Sequence, residues 1–449
     1  MSEFDKASDT FVTWLKYNGA TVADSVAIKD LRSQNAGRGM VAVKDIKEGD
    51  LLFSLPRKIL LSEETSELAN IPDVKEKLQQ LDGWSPLILC MMYESQREQS
   101  FWKPYFDILP KEFSTPMFWD QKDLKELAGT SVIDKIGKED AETLYNETLL
   151  PIIKSHPGVF DEKVHNVDLF HVCGSLIMAY SFHDELAVRK RQENDEKDNL
   201  DEAEAEAEAE DEDEDSDEEE EEEQGIIAMV PMADMLNHRT GFNNARLFHE
   251  PEALQMRAIK DIKAQDQIYN TYGDLCNGDL LRKYGFVDEP NEHDIVEISG
   301  DLVLNEGCPK GSSEKEKEAK VTFLLEEEAL DDCFVIESNG DVPPELLVCV
   351  QVFMMSSQEF STMLGKRKLP KPKRSAVIMD KIIAILTKRL EQYSGSVEED
   401  EKRLRDSSLS LNQHNSLIVK IGEQLILQKA LNQAQAADEH GPKRKKLRK

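Results

Sequence analysis

The chain has 449 residues, more than one compact core ordinarily holds, so two domains are expected. Its formal net charge is −34, which argues against nonspecific DNA binding by the folded body and is compatible with either a basic partner or plain solubility. The six cysteines (Cys90, Cys173, Cys276, Cys308, Cys333 and Cys349) form no C-x-x-C pair, and no signal peptide or membrane-length apolar run stands out; no metal site is expected, and an intracellular, reducing compartment is.

The run FVTWLKYNG from Phe11 predicts an opening helix. VAVKDIKEGDLLFSLPRKILL, whose apolar alternation is broken by a Lys-Glu-Gly-Asp turn, predicts a β-meander ending near Leu61. From Glu63 to about Ala187 apolar residues recur at three- and four-residue spacing, which predicts helices; FWKPYF places Trp102 among residues that pack them together. Between Arg191 and Gln224 stand 22 acidic and 2 basic residues, a local charge of −20 that leaves −14 for the rest. This low-complexity stretch, 189–224, is expected to be a disordered surface loop, which closure entropy tolerates well.

Strand-like sequence resumes at Ile226, and after about Gly300 the pattern is helical again. Ile378, Ile382, Ile385, Leu386 and Leu390 form one stripe, and Leu417, Ile421, Leu425 and Leu431 another. Two basic runs remain, 366–374 and 443–449; the second reads as a nuclear localisation signal, or else as a solvated tail or RNA contact.

The most informative segment runs from Pro231 to Phe286. Asn237-His238 ends the apolar run MVPMADML, Asn270-Thr-Tyr-Gly273 follows a strand-like stretch, and Tyr284-Gly-Phe286 closes the series. Buried polar groups need partners, so three such clusters in order carry more weight than one. Taken alone, Asn237-His238 reads first as a turn or helix cap, and Tyr272 as a core tyrosine bonded to a carbonyl.

The order and spacing of these clusters resemble the C-terminal half of a SET domain, the fold of protein-lysine methyltransferases. They resemble in particular the branch of the Rubisco large-subunit methyltransferase, SET domain-containing protein 6 and the fungal ribosomal lysine methyltransferase 4, with the last two nearer. The resemblance implies an α+β fold: a mostly β SET domain over 20–295 with a helical insertion at about 63–187, then an all-α substrate-binding domain over 305–437 and a basic tail, 438–449. It also implies S-adenosyl-L-methionine as cofactor, a protein lysine as substrate and no metal.

By the same resemblance Tyr272 is the catalytic tyrosine, orienting the lysine amine. Ala36, Gly37 and Arg38 would hold cofactor in a glycine-bearing turn; Arg38 replaces a commoner aromatic or aliphatic residue. Tyr180, Asn237, His238 and Tyr284 are the other cofactor contacts. Trp84, Ser181, His183 and Tyr272 would face the substrate, with a core role as the alternative for Trp84 and a solvated one for His183. The expected substrate is a lysine of a 60S ribosomal protein, with a histone or other nuclear protein as runner-up. A noncatalytic acidic adaptor for basic proteins on a SET scaffold is the reading from another class. A monomer in the nucleus, with cytoplasmic residence also open, no membrane association and no specific nucleic-acid binding are the remaining expectations.

Overall fold

The computed structural model describes residues 2–34, 36–184, 226–366 and 368–439; the expected acidic loop at 189–224 and the basic run 443–449 lie outside the described residues. The chain divides into two compact units, Met1–Phe113 with Gly137–Asp274, and Ser114–Ile136 with Leu275–Lys449.

The first unit opens with helix α1 (Glu3–Tyr17), which starts well ahead of the apolar run at Phe11. The cause is a reciprocal cap: Asp5 N–H donates to Ser2 Oγ at 3.1 Å and Ser2 N–H to Asp5 Oδ2 at 3.0 Å. Its strands are β1 (Thr21–Val22), β2 (Val26–Asp30), β3 (Arg38–Ala42), β4 (Leu51–Pro56), β5 (Ser181–Asp184), β6 (Ile226–Met229), β7 (Ala245–His249), β8 (Ala253–Ala258) and β9 (Gln267–Ile268). They pair antiparallel in the orders β1-β4-β8-β7, β2-β3-β9 and β5-β6.

Strand β8 buries Leu254, Met256 and Ala258 and turns the residues between them outward, the period-two signature of a half-buried strand. In β4 the register slips between Leu51 and Phe53, so the adjacent Leu52 and Phe53 are both fully buried.

Between β4 and β5 lie helices α2 (Ser85–Ser95), α3 (Lys103–Phe106) and α4 (Val167–Tyr180). Glu94 of α2 is fully buried and accepts from Ser66 Oγ (2.9 Å), Glu67 N–H (2.8 Å) and Ser100 Oγ (2.8 Å). Three donors satisfy a carboxylate that burial would otherwise penalise heavily. Trp102 is buried, its Nε1–H donating to the Ile59 carbonyl at 3.0 Å, which suits a packing role.

The second unit is helical except for a ribbon of β10 (Ile295–Ser299) and β11 (Cys333–Glu337), which the all-α expectation did not include. Alternation in CFVIE turns Phe334 and Ile336 inward, where they are buried with Val296 and Ile298. The unit holds α5 (Asn277–Tyr284), α6 (Pro344–Met354), α7 (Ala376–Leu390) and α8 (Leu411–Glu439). Ile378, Ile382, Ile385 and Leu386 of α7 are buried, as their spacing predicts. On α8, Leu417 and Ile421 are buried but Leu425 is 46% exposed, and burial passes to Ile426, Leu427 and Ala430. A straight helix drifts away from any strict short repeat, so one stripe cannot stay buried along its whole length.

Candidate active site

The site is built around the chain between β6 and β7. After Met229 the backbone turns sharply: Met232 has φ +83°, a left-handed conformation rare for a side-chain-bearing residue, and a short 3-10 turn follows over Ala233–Met235. The chain then extends through Leu236, Asn237 and His238. A parallel bridge joins Asn237 to Tyr269, and Asn270 N–H donates to the Asn237 carbonyl at 3.1 Å. These contacts set Asn237-His238 alongside Asn270–Gly273, two clusters that are separate in sequence.

Tyr272 is fixed at both ends. Its N–H donates to His238 Nδ1 at 3.1 Å, and its hydroxyl donates to the Leu236 carbonyl at 3.0 Å. The two rings stack with centroids 5.1 Å apart and planes at 23°. Because Nδ1 accepts, the proton of the neutral imidazole sits on Nε2, which lies 3.5 Å from Thr240 Oγ1. The Tyr272 hydroxyl does meet a backbone carbonyl, the arrangement expected of a core tyrosine, yet the residue is only half-buried. With its proton committed to Leu236, the phenol oxygen presents lone pairs in other directions and can act as an acceptor.

The turn at Ala36–Gly39 meets this pair. Asn237 Nδ2 donates to the Ala36 carbonyl at 3.2 Å. Gly37 has φ +58° and a Cβ there would meet nothing within 4 Å, so its backbone faces open space. At Gly39 a Cβ would stand 2.4 Å from Leu31 Cδ1, 2.8 Å from Asn237 Nδ2 and 3.0 Å from Gln267 Nε2, so this close approach needs glycine. Gln267 Nε2 is itself buried without a hydrogen-bond partner among the described residues. The Arg38 side chain turns away: Nη1 donates to the Ile108 carbonyl at 2.6 Å, and the guanidinium lies 4.3 Å from the Phe4 ring centroid. Burial lowers its pKa.

Tyr180 closes α4, and Ser181 begins β5, where the backbone becomes extended. Ser181 pairs with Met229 and His183 with Ile227, so the segment lies beside the strand that leads into the turn at Met232. His183 is exposed. Trp84 precedes α2 and is 39% exposed, not the core residue of the alternative reading, and makes no ring stacking or hydrogen bond with the clusters above. Tyr284 belongs to the second unit, at the end of α5; its ring lies 6.2 Å from that of Phe286, and burial pushes its hydroxyl up to about 12.

Two residues escaped the sequence reading. Asp234, inside the apolar run MVPMADML, is buried and accepts a hydrogen bond from the Tyr105 hydroxyl, while its Oδ1 accepts Met232 N–H at 3.0 Å. Burial pushes its carboxyl up to about 7 against the pull of these donors. A lone carboxylate within an apolar run was the available signal.

Known proteins place the chain clearly. The SET domain model matches residues 37–273, and the Rubisco LSMT substrate-binding model matches residues 311–427. Ribosomal lysine N-methyltransferase 4 of Saccharomyces cerevisiae is 32% identical over 381 residues, 80% of this chain and 73% of that protein. N-lysine methyltransferase setd6 of Danio rerio is 31% identical over 459 residues, 94% of each chain. A solved structure of the LSMT SET domain bound to lysine and AdoHcy superposes with TM-score 0.70 at 20% identity, covering 98% of this chain and 93% of that one. Rubisco LSMT bound to AdoMet gives 0.68 at 20% identity, covering 96% and 92%. At that identity the two structures bear on the fold.

Proposed function

The chain belongs to the SET-domain family of protein-lysine N-methyltransferases, and we propose that it methylates a lysine of a 60S ribosomal protein, using S-adenosyl-L-methionine. The yeast relative named for ribosomal lysine supports that substrate. The net charge of −34 suits a basic partner.

The observation that carries the reading is the acceptor geometry of Tyr272. The oxygens brought together here, Leu236 carbonyl and Tyr272 hydroxyl, are uncharged and hydrogen-bonded to each other. Such a pair suits a cationic ligand and an incoming amine, and it offers no nucleophile. The open space at Gly37 and Gln267 Nε2, which has no partner among the described residues, are compatible with a bound group beside β3. Ala36, Gly37, Arg38, Tyr180, Asn237, His238 and Tyr284 would hold the cofactor, Arg38 through its main chain because its side chain is engaged at Ile108.

When bound, S-adenosylmethionine supplies an electrophilic methyl carbon on a sulfonium. The work of the protein residues is alignment. A lysine amine attacks only when neutral, against a usual pKa of about 10.4, and a water-poor channel disfavours its ammonium form. The Tyr272 oxygen would accept an N–H of the incoming lysine and so aim the nitrogen lone pair. Trp84, Ser181 and His183 would face the peptide.

Incubation with tritiated S-adenosylmethionine and fractionated cell extract tests this. Label on a large-subunit ribosomal protein is the expected result. The relative covering 94% of the chain carries no ribosomal designation, so a labelled histone or other nuclear protein would replace the substrate assignment. No label on any protein would favour a noncatalytic adaptor. Nuclear residence agrees with the exposed Lys366, Lys368, Lys371, Lys373 and Arg374 between Leu364 and α7. A monomer is the proposed state.

A further inference from the structure

We propose that Tyr105 and Asp234 are a positioning pair for the cofactor side of the site: the buried Tyr105–Asp234 hydrogen bond locks the turn that aims Leu236, Asn237 and His238. The inference rests on the cofactor reading above and assigns roles to two residues that touch neither cofactor nor substrate.

Tyr105 lies in the core of the first unit. It is fully buried on the short helix α3, with its ring 6.1 Å from that of Phe11 on α1. A phenylalanine would fill such a position without having a hydroxyl to satisfy. Among the described residues the hydroxyl has one hydrogen-bond partner, Asp234 Oδ2, across a sequence separation of 129 residues. Burial, reinforced by the Asp234 charge and more weakly by Tyr180, holds its proton far more tightly than usual. Tyr105 is therefore a permanent donor that anchors Asp234 to the helical insertion.

Asp234 uses its other oxygen on its own turn. Oδ1 accepts Met232 N–H at 3.0 Å, and Met232 is the residue in the left-handed conformation. Such backbone is strained and persists only where surrounding contacts over-determine it. The carboxylate supplies that determination from within, and Tyr105 fixes it from outside. Below the turn, Leu236 N–H donates to the Ala233 carbonyl at 3.3 Å. The Leu236 carbonyl then receives the Tyr272 hydroxyl, and Asn237 reaches the Ala36 carbonyl. A relaxed turn would move the Leu236 carbonyl and the Asn237 amide together.

Calorimetry with S-adenosylhomocysteine, on the full chain well below each variant's melting temperature, tests the pair. Asp234→Ala removes both contacts and is expected to weaken binding at least about tenfold; Tyr105→Phe, which strands one carboxylate oxygen, should weaken it by about three- to tenfold. Asp234→Asn keeps its carbonyl oxygen for Met232 N–H and can donate from Nδ2 to the Tyr105 oxygen, so that the link between the two survives with its direction reversed, and it should restore affinity to within about threefold. Tyr145→Phe is the matched control: it also deletes a buried hydroxyl in the same unit, one that donates to the His165 carbonyl at 2.8 Å, and should lower the melting temperature without altering affinity. Wild-type affinity in folded Asp234→Ala, or an equal loss in Tyr145→Phe, would overturn the positioning role. If Asp234→Ala does not fold, Tyr105→Phe against Asp234→Asn decides in the same way. Failure of the wild-type chain to bind would instead remove the cofactor reading on which the inference rests.

Discussion

Tyr272 and Leu236 are joined by a hydrogen bond of 3.0 Å in which the phenol is the donor. The direction matters. A phenol that has given its proton to a carbonyl cannot also give it to a substrate, so the remaining capacity of the oxygen is to accept. In the proposed reaction Tyr272 would therefore act by orienting the lysine amine and by electrostatic complementarity, and not as the base that removes the lysine proton.

Tyr272→Phe removes only the oxygen and leaves the ring stacked on His238. Methyl transfer is expected to fall on the order of 100-fold, the scale seen when one preorganised polar contact is lost from an active site. Binding of S-adenosylhomocysteine should stay within a few-fold. Single-turnover rates on a verified substrate, paired with calorimetry, measure the two; an unchanged rate would refute the catalytic assignment.

Asn237→Ala and His238→Ala should each weaken cofactor binding by roughly 1–3 kcal/mol, the penalty for removing a buried polar partner. The histidine variant also leaves Tyr272 N–H without the acceptor that now lies 3.1 Å away. It should therefore slow transfer more than the asparagine variant does at saturating cofactor. A loss of melting temperature with full affinity would mark both residues as caps.

Two glycines separate backbone strain from close approach. Gly37→Ala meets open space but must hold φ at +58°, so it should cost roughly 1–2 kcal/mol of stability with little steric effect on neighbours. Gly39→Ala drives a methyl into Leu31 and the Asn237 amide, so it should reduce cofactor affinity beyond its effect on melting. Equal affinity in the two variants, compared at equal folded fraction, would count against a cofactor role for this turn.

In the second unit, Arg389 is a buried clamp. Its Nε donates to the Glu297 carbonyl at 2.8 Å, Nη1 to the Gly129 carbonyl at 2.7 Å, and Nη2 lies 3.3 Å from Glu423 Oε2. Glu423 Oε1 also accepts Ser131 N–H at 3.3 Å, so the cluster ties the 114–136 segment to the C-terminal helices. Arg389→Ala should destabilise the protein by about 3–5 kcal/mol, because it leaves a buried carboxylate without its cation. Denaturant unfolding measures this; a loss below about 1 kcal/mol would place Glu423 in contact with water.

These particulars show where sequence reading stopped. Asn237-His238 and Asn270–Gly273 were legible because polar clusters inside apolar runs demand partners, and the α7 stripe because its period is local. The start of α1 was missed since two short polar residues, Ser2 and Asp5, decide it and not the apolar pattern. The grouping of 114–136 with the second unit rests on contacts such as Arg389 to the Gly129 carbonyl, between residues 260 positions apart. Nothing in local periodicity encodes such a pairing. Tyr105 is hidden for the same reason: FWKPYF reads as packing until the fold brings Asp234 to its hydroxyl.

Asp234 should also leave a signature in the pH dependence of stability. Its carboxyl titrates near the ordinary 3.8 in the unfolded chain and is pushed by burial to about 7 in the folded protein. Between those values the folded state binds the extra proton, so stability falls as pH rises. The contribution is complete below about 3.8 and is lost as pH passes through about 7, with a span on the order of 4 kcal/mol. The asparagine variant imitates the protonated carboxyl and cannot titrate, so it should lack this slope. Melting temperatures of wild type and Asp234→Asn, taken from about pH 4 to about pH 8, isolate the effect, because every other titrating group is shared. The stability of wild type relative to the variant should fall as pH rises toward about 7 and level off above it. A constant difference, or one that grows with pH, would mean that Tyr105 and the Met232 amide stabilise the ionised carboxylate strongly enough to outweigh its burial.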